Sequence, residues 1–261
     1  MKIALMDSGI GLLAAAAALR GLRPDVDLVL SSDHPGGMPW GPRTPEDLTG
    51  RALAVARAAA LHAPDALIVA CNTASVHALE AIRAELEPGI PVVGTVPAIK
   101  PAAATGGPVA IWATPATTGS AYQRGLIRDF ADGVDVTEIP CPGLADAVER
   151  ADGRAVAEAV AAAAALTPAG TRALVLGCTH YELLEQQILD ALRARLDDPA
   201  ALTVHSSALP VAEQALRRAG DTAEGGSALL VLRGGETVEL SSAALSYPQG
   251  RLLPGLAEPV R

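Results

Sequence analysis

Ala66-Leu67-Ile68-Val69-Ala70-Cys71-Asn72-Thr73-Ala74-Ser75 is the stretch that decides the fold, because the chain holds a second version, Ala173-Leu174-Val175-Leu176-Gly177-Cys178-Thr179-His180. One offset, 178 minus 71 or 107 residues, carries Ala66 onto Ala173, Leu67 onto Leu174, Ala70 onto Gly177 and cysteine onto cysteine. Each version is an unalternating apolar run ending at a cysteine. That pattern fits a strand buried on both faces of a parallel sheet, and a helical pattern follows each run. Each cysteine therefore stands at the carboxyl end of a strand and opens a helix. Open α/β sheets place their ligands at that end, and unpaired helix N–H groups there favour anions, a thiolate included. Two cysteines in matched positions point to one site served by two similar halves.

The duplication reaches further back. Val109-Ala110-Ile111-Trp112-Ala113-Thr114 resembles Ile3-Ala4-Leu5-Met6-Asp7-Ser8 at an offset of 109 minus 3, or 106, so the two ends of the repeat agree within one residue. The pattern predicts two α/β halves, each with a strand-loop-helix start and a later strand-Cys-helix. In the first half, Asp27 to Ser32 reads as a strand. A helix over Thr44 to His62 opens with Thr44-Pro45-Glu46-Asp47, a cap followed by proline at the first helical position. Helix Ser75 to Glu87 and strand Pro91 to Val96 follow. In the second half, the expected elements are strand Val134 to Ile139, helix Gly153 to Leu166, helix Glu182 to Leu196, strand Ala201 to Ser206 and helix Pro210 to Ala219. Leu229 to Leu232 and Val238 to Leu240 read as short terminal strands or a strand and a loop.

Composition bounds the function. The chain of 261 residues is half hydrophobic but only 2% aromatic, so the core is built from Ala, Leu, Val and Ile. A net charge of -9 argues against a nucleic-acid surface. Asp7 interrupts the apolar start, so that stretch reads as strand and helix and not as a leader, and no run approaches a membrane span. Three cysteines without dense spacing fit a reducing compartment. A cytoplasmic protein is expected, with neither membrane nor nucleic acid as a partner.

Gly9 and Gly11 do not complete a dinucleotide fingerprint and no phosphate-loop lysine follows. Asp7 points to a cation such as a substrate amine, with a helix N-cap as the equally open alternative. The long loop His34 to Arg43 has a length that marks function or disorder. A lone buried cysteine is more often a small hydrophobe than a nucleophile, and Cys141, in Ile139-Pro140-Cys141-Pro142, is read that way. Cys71 and Cys178 differ in being followed by Asn72-Thr73 and Thr179-His180. Their spacing offers no zinc cluster, so no metal is expected, while a redox disulfide stays open. The remaining option uses the symmetry. A racemase or epimerase needs one group to remove a proton from a carbon and another, on the far face, to supply one, and thiols titrate near enough to neutrality to do both. Pyridoxal phosphate would need a Schiff-base lysine; only Lys2 and Lys100 exist, neither in a phosphate-site context, so no cofactor is expected.

These residues resemble the glutamate racemases of the cofactor-independent aspartate/glutamate racemase superfamily over nearly the whole chain. The resemblance rests on Asp7-Ser8-Gly9, Pro39-Trp40-Gly41 where the family has Pro-Tyr-Gly, Cys71-Asn72-Thr73-Ala74-Ser75, Thr114 through Thr117, Ser120, Tyr122, Cys141-Pro142 and Gly177-Cys178-Thr179-His180-Tyr181. It implies two pseudo-symmetric three-layer α/β domains with mainly parallel sheets, residues 1–97 plus 206–261 and residues 98–205, and an active site in the cleft between them. It also implies Cys71 and Cys178 as the two bases, assisted by Asp7 and His180. Asp7, Ser8, Pro39, Trp40, Gly41, Asn72, Thr73, Thr114, Thr117, Thr179 and His180 would lie at the amino-acid substrate. A homodimer that supplies D-glutamate for peptidoglycan is the corresponding expectation. The chain departs from the family at Gly11-Leu12, at Asp33 to Met38 and at Trp40, all on the substrate side. A racemase of aspartate or another amino acid is therefore the alternative, beside a non-catalytic bilobal binding protein.

Overall fold

The computed structural model describes residues 1–34, 44–220 and 226–254. The chain opens with β1 (Lys2–Asp7), α1 (Leu13–Leu22), β2 (Asp27–Ser32), α2 (Pro45–Ala60), β3 (Ala66–Val69), α3 (Asn72–His77), α4 (Leu79–Leu86) and β4 (Val92–Gly94). It continues through α5 (Ile99–Ala103), β5 (Val109–Ala113), α6 (Ala121–Phe130), β6 (Val136–Pro140), α7 (Leu144–Glu149), α8 (Gly153–Leu166), β7 (Ala173–Leu176), α9 (Glu185–Arg193) and β8 (Thr203–His205). It closes with α10 (Ala208–Ala219), β9 (Leu229–Arg233), β10 (Glu236–Val238), α11 (Ser242–Leu245) and α12 (Pro248–Arg251). Two compact units result, Met1–Val96 with Ala208–Arg261, and Pro97–Ser207.

The first unit is built on a sheet of order β10-β9-β2-β1-β3-β4, parallel except for the β10–β9 pair. β1 and β3 are buried almost throughout, as their unbroken apolar runs require. Alternate side chains serve opposite faces. Ala4, Met6, Leu67 and Val69 pack with Leu48, Ala52, Val55 and Ala56 of α2 and with Ile82 of α4. On the other face α1 packs against α10 and α12. Helix α2 begins where its sequence says it should. The Thr44 hydroxyl accepts from the Asp47 N–H at 3.3 Å, Pro45 occupies the first turn, and Glu46 and Asp47 lie at the positive end of the helix dipole.

The second unit carries a sheet of order β6-β5-β7-β8, all parallel. Ile111, Ala173 and Val175 pack with Ile99 and Ala102 of α5 and with Leu126 and Ile127 of α6. Trp112 is fully buried, and its indole Nε1–H donates at 2.9 Å to the hydroxyl of Thr167, which follows α8. Its strand order repeats β2-β1-β3-β4 of the first sheet. The registers repeat as well: Ile3 lies opposite Ala66 and Val109 opposite Ala173, so the sequence offsets of 106 and 107 are equivalences of paired strands.

Several boundaries differ from expectation for local reasons. Helix α3 starts at Asn72 and not Ser75, because Cys71 itself is the N-cap residue, with extended dihedrals. The turn after Cys178 is a 3₁₀ run, Thr179–Leu184, before α9 begins at Glu185. α6 is the helix that the strand-loop-helix start of the second half calls for, whereas the short helices α5 and α7 are additions to the expected elements. Of the two short terminal segments, Leu229–Arg233 is a strand that joins the first sheet parallel to β2, and the second strand lies at Glu236–Val238, earlier than Val238 to Leu240, antiparallel to it. Among the described residues no helix is long and apolar enough to cross a membrane.

Candidate active site

Within the first unit, β1 and β3 are neighbours, and the Ala70 N–H donates to the Met6 carbonyl at 2.8 Å just past the paired residues. The chain then delivers Asp7 from one strand end and Cys71 from the next. The Asp7 carboxylate is fully buried, and its Oδ1 accepts from the Ser8 N–H at 2.6 Å and the Ser8 hydroxyl at 3.3 Å. Cys71, outside any disulfide and 7% exposed, has φ -144° and ψ 121°. Asn72 is buried beside it and Thr73 is partly exposed. Asp7, Ser8, Cys71, Asn72 and Thr73 thus stand together at one sheet end.

The second unit presents the same arrangement with different helpers. β5 and β7 are neighbours, and the chain leaves them through Thr114 and through Gly177-Cys178. Cys178, 9% exposed, has φ -143° and ψ 131°, so both cysteines leave their strands in one backbone conformation. The Thr114 and Thr117 hydroxyls are 3.2 Å apart, in a turn closed by the Thr117 N–H donating to the Thr114 carbonyl at 2.9 Å. Thr179 and His180 are buried. His180 Nδ1 lies 4.0 Å from Cys178 Sγ, and its Nε2 lies 3.1 Å from Glu149 Oε2. A carboxylate can only accept, so Glu149 holds the imidazole proton on Nε2 and leaves the Nδ1 lone pair for the thiol. Glu149, at the end of α7, was not found by sequence reasoning. It lies 31 residues from His180, in a short helix without a strong pattern of its own.

Cys141 is close by but chemically quiet. Burial, and secondarily the charge of Cys178, push its thiol up to about 12. Burial likewise raises the Tyr181 phenol well above its ordinary value; its O–H donates to the Cys141 carbonyl at 3.3 Å. Among the described residues no three His, Cys, Asp or Glu side chains cluster closely enough to hold a metal. Pro39, Trp40 and Gly41, expected at the substrate, lie outside the described residues.

Each unit holds a thiol just past a strand end, with an ionisable side chain, Asp7 or His180, and hydroxyl groups at the same sheet end. A sequence model of the Asp/Glu/hydantoin racemases matches residues 12–207. A glutamate racemase of Roseiflexus is 41% identical over 193 residues, covering 71% of this chain and 70% of the relative. One from Pseudomonas entomophila is 35% identical over 224 residues, 84% of this chain and 82% of the relative. The crystal structure of the Escherichia coli glutamate racemase in complex with L-glutamate and the activator UDP-MurNAc-Ala superposes with a TM-score of 0.75 at 27% identity, covering 97% of this chain and 92% of that one.

Proposed function

This chain belongs to the Asp/Glu/hydantoin racemase family, and on that premise we propose that it interconverts L- and D-glutamate with Cys71 and Cys178 as the two acid/base groups. It is an isomerase acting on amino acids. The observation that carries the two-thiol reading is the matched pair of strand ends, where the two cysteines have the same backbone conformation.

In this reading one thiolate removes the Cα proton, and the thiol of the other unit delivers a proton to the opposite face. The reverse reaction exchanges the roles. The Cα proton is weakly acidic, so the negative charge that develops next to the substrate carboxylate has to be met by hydroxyls and backbone N–H groups. We assign that role to Ser8, Asn72, Thr73, Thr114, Thr117 and Thr179 and, from the sequence, to the backbone N–H groups of Trp40 and Gly41, with Pro39, which has no N–H to donate, lining the substrate. Asp7 assists Cys71, and His180, held by Glu149, assists Cys178. We extend the proposal to a cytoplasmic homodimer supplying D-glutamate for peptidoglycan, which the same resemblance supports.

The test is optical. Protein treated with EDTA and hydroxylamine, then given L-glutamate in deuterated water without additions, should drive the rotation to zero and place solvent deuterium at Cα of the D-product. Rotation that stays constant with glutamate but decays with aspartate would move the assignment to that substrate. Activity that returns only with a metal or pyridoxal phosphate would overturn the cofactor-independent mechanism.

A further inference from the structure

Four residues after each cysteine stands a side chain that binds the chain just before it leaves the unit. In the first unit that residue is Ser75, buried; its hydroxyl accepts the Thr95 N–H at 2.9 Å and donates to the Val69 carbonyl at 3.3 Å. The Thr95 hydroxyl donates to the same Val69 carbonyl at 2.8 Å. Thr95 is the last residue but one before the unit ends at Val96. In the second unit the corresponding residue is Glu182, 4% exposed. Its Oε1 accepts the Ser207 N–H at 2.7 Å and the Ser207 hydroxyl at 2.6 Å, and Ser207 is the last residue before the chain passes to Ala208.

The same position in each repeat thus accepts an N–H from the same point in each path. Neither bond is needed to close the sheets, whose last paired residues are Gly94 and His205. A buried carboxylate is an expensive way to satisfy one serine, and short charge-assisted bonds fix geometry more firmly than neutral ones. We infer that Ser75 and Glu182 are matched positioning residues, each locking the turn that carries its own cysteine to the segment by which the chain leaves that unit. The turn then has no freedom to rotate about the strand end, and the sulfur stays aimed. An error of about 1 Å in the placement of a reacting group costs on the order of a hundredfold in rate.

This inference rests on the two-thiol reading, and the test separates the two. Enantiomers have equal free energy, so kcat/KM is equal in both directions for every variant, and the affected sulfur has to be read from isotope effects. With Cα-deuterated L- and D-glutamate, Ser75→Ala and Glu182→Ala should each lower kcat/KM by about ten- to a hundredfold. In each, the substrate isotope effect should rise for one enantiomer and fall toward unity for the other, with opposite enantiomers affected in the two variants. A change of fold alone would not produce opposite polarities. Ser207→Ala keeps the N–H and removes the hydroxyl donor, so it should shift the same way as Glu182→Ala but less, and it serves if Glu182→Ala does not fold. Isotope effects unchanged from wild type, or shifted toward one enantiomer in both Ser75→Ala and the Glu182 or Ser207 variant, would overturn the inference. If Cys71→Ser and Cys178→Ser themselves fail to split between enantiomers, the two-thiol reading falls first; if they split and the anchoring variants do not follow, only the positioning roles are lost.

Discussion

A thiol removes a Cα proton well only if its own proton has somewhere to go, and the two cysteines are served differently. Cys71 shares its sheet end with the buried Asp7 carboxylate, whereas Cys178 faces an imidazole whose far nitrogen is held by Glu149 at 3.1 Å. Glu149→Gln lets the amide oxygen accept or the amide N–H donate, so the proton is no longer confined to Nε2. We expect kcat/KM to fall by about one to two orders of magnitude, with the isotope-effect polarity of a Cys178 defect. An unchanged rate with a normal pH profile would remove Glu149 from the proton path. Cys141 should behave oppositely. Its proton is held to about 12 against an ordinary 9.0, so the folded state binds that proton more tightly than the unfolded chain. The resulting stabilisation is complete below pH 9 and is lost as pH climbs toward 12. Cys141→Ala should therefore flatten the decline of Tm above pH 9 and leave neutral-pH racemisation near wild type. A collapse of activity in that variant would give Cys141 a role in the chemistry.

At the scale of elements, the approach to each cysteine is set by how closely β3 and β7 pass their neighbours. Gly177, the counterpart of Ala70, has no room for a side chain: a Cβ there would stand 2.9 Å from the Trp112 carbonyl oxygen and 3.2 Å from the Ala113 Cβ. Gly177→Ala must push β7 off β5 one residue before Cys178, and we expect a loss of roughly 1–3 kcal/mol in denaturant unfolding together with reduced kcat. Full activity at unchanged stability would show that the strand ends tolerate the shift. These strands were also the most legible part of the sequence, because apolar runs buried on both faces leave no alternation to misread and a repeat doubles the signal. Helix starts were less so. The onset of α3 at Asn72 depends on the dihedrals of Cys71, and α5 and α7 are too short for their periodicity to stand out. Of the site, the cysteines and their neighbours in sequence were readable. Glu149 and the Glu182–Ser207 contact were not, since folding alone brings together groups 31 and 25 residues apart.

For the molecule as a whole, the repeated topology β2-β1-β3-β4 and β6-β5-β7-β8 supplies one thiol after each of the matched strands β3 and β7, and the account stands or falls on each of these thiols serving one face of Cα. Serine is a far weaker acid than cysteine, so replacing either thiol should cut racemisation by orders of magnitude. The thiol that remains still confronts its own face. The decisive measurement is exchange of the Cα proton of L- and of D-glutamate with deuterated water by Cys71→Ser and by Cys178→Ser, both checked for native melting. The account predicts that each variant exchanges one enantiomer in preference to the other and that the two variants prefer opposite enantiomers. Near wild-type racemisation in both, or one shared preference, would contradict it.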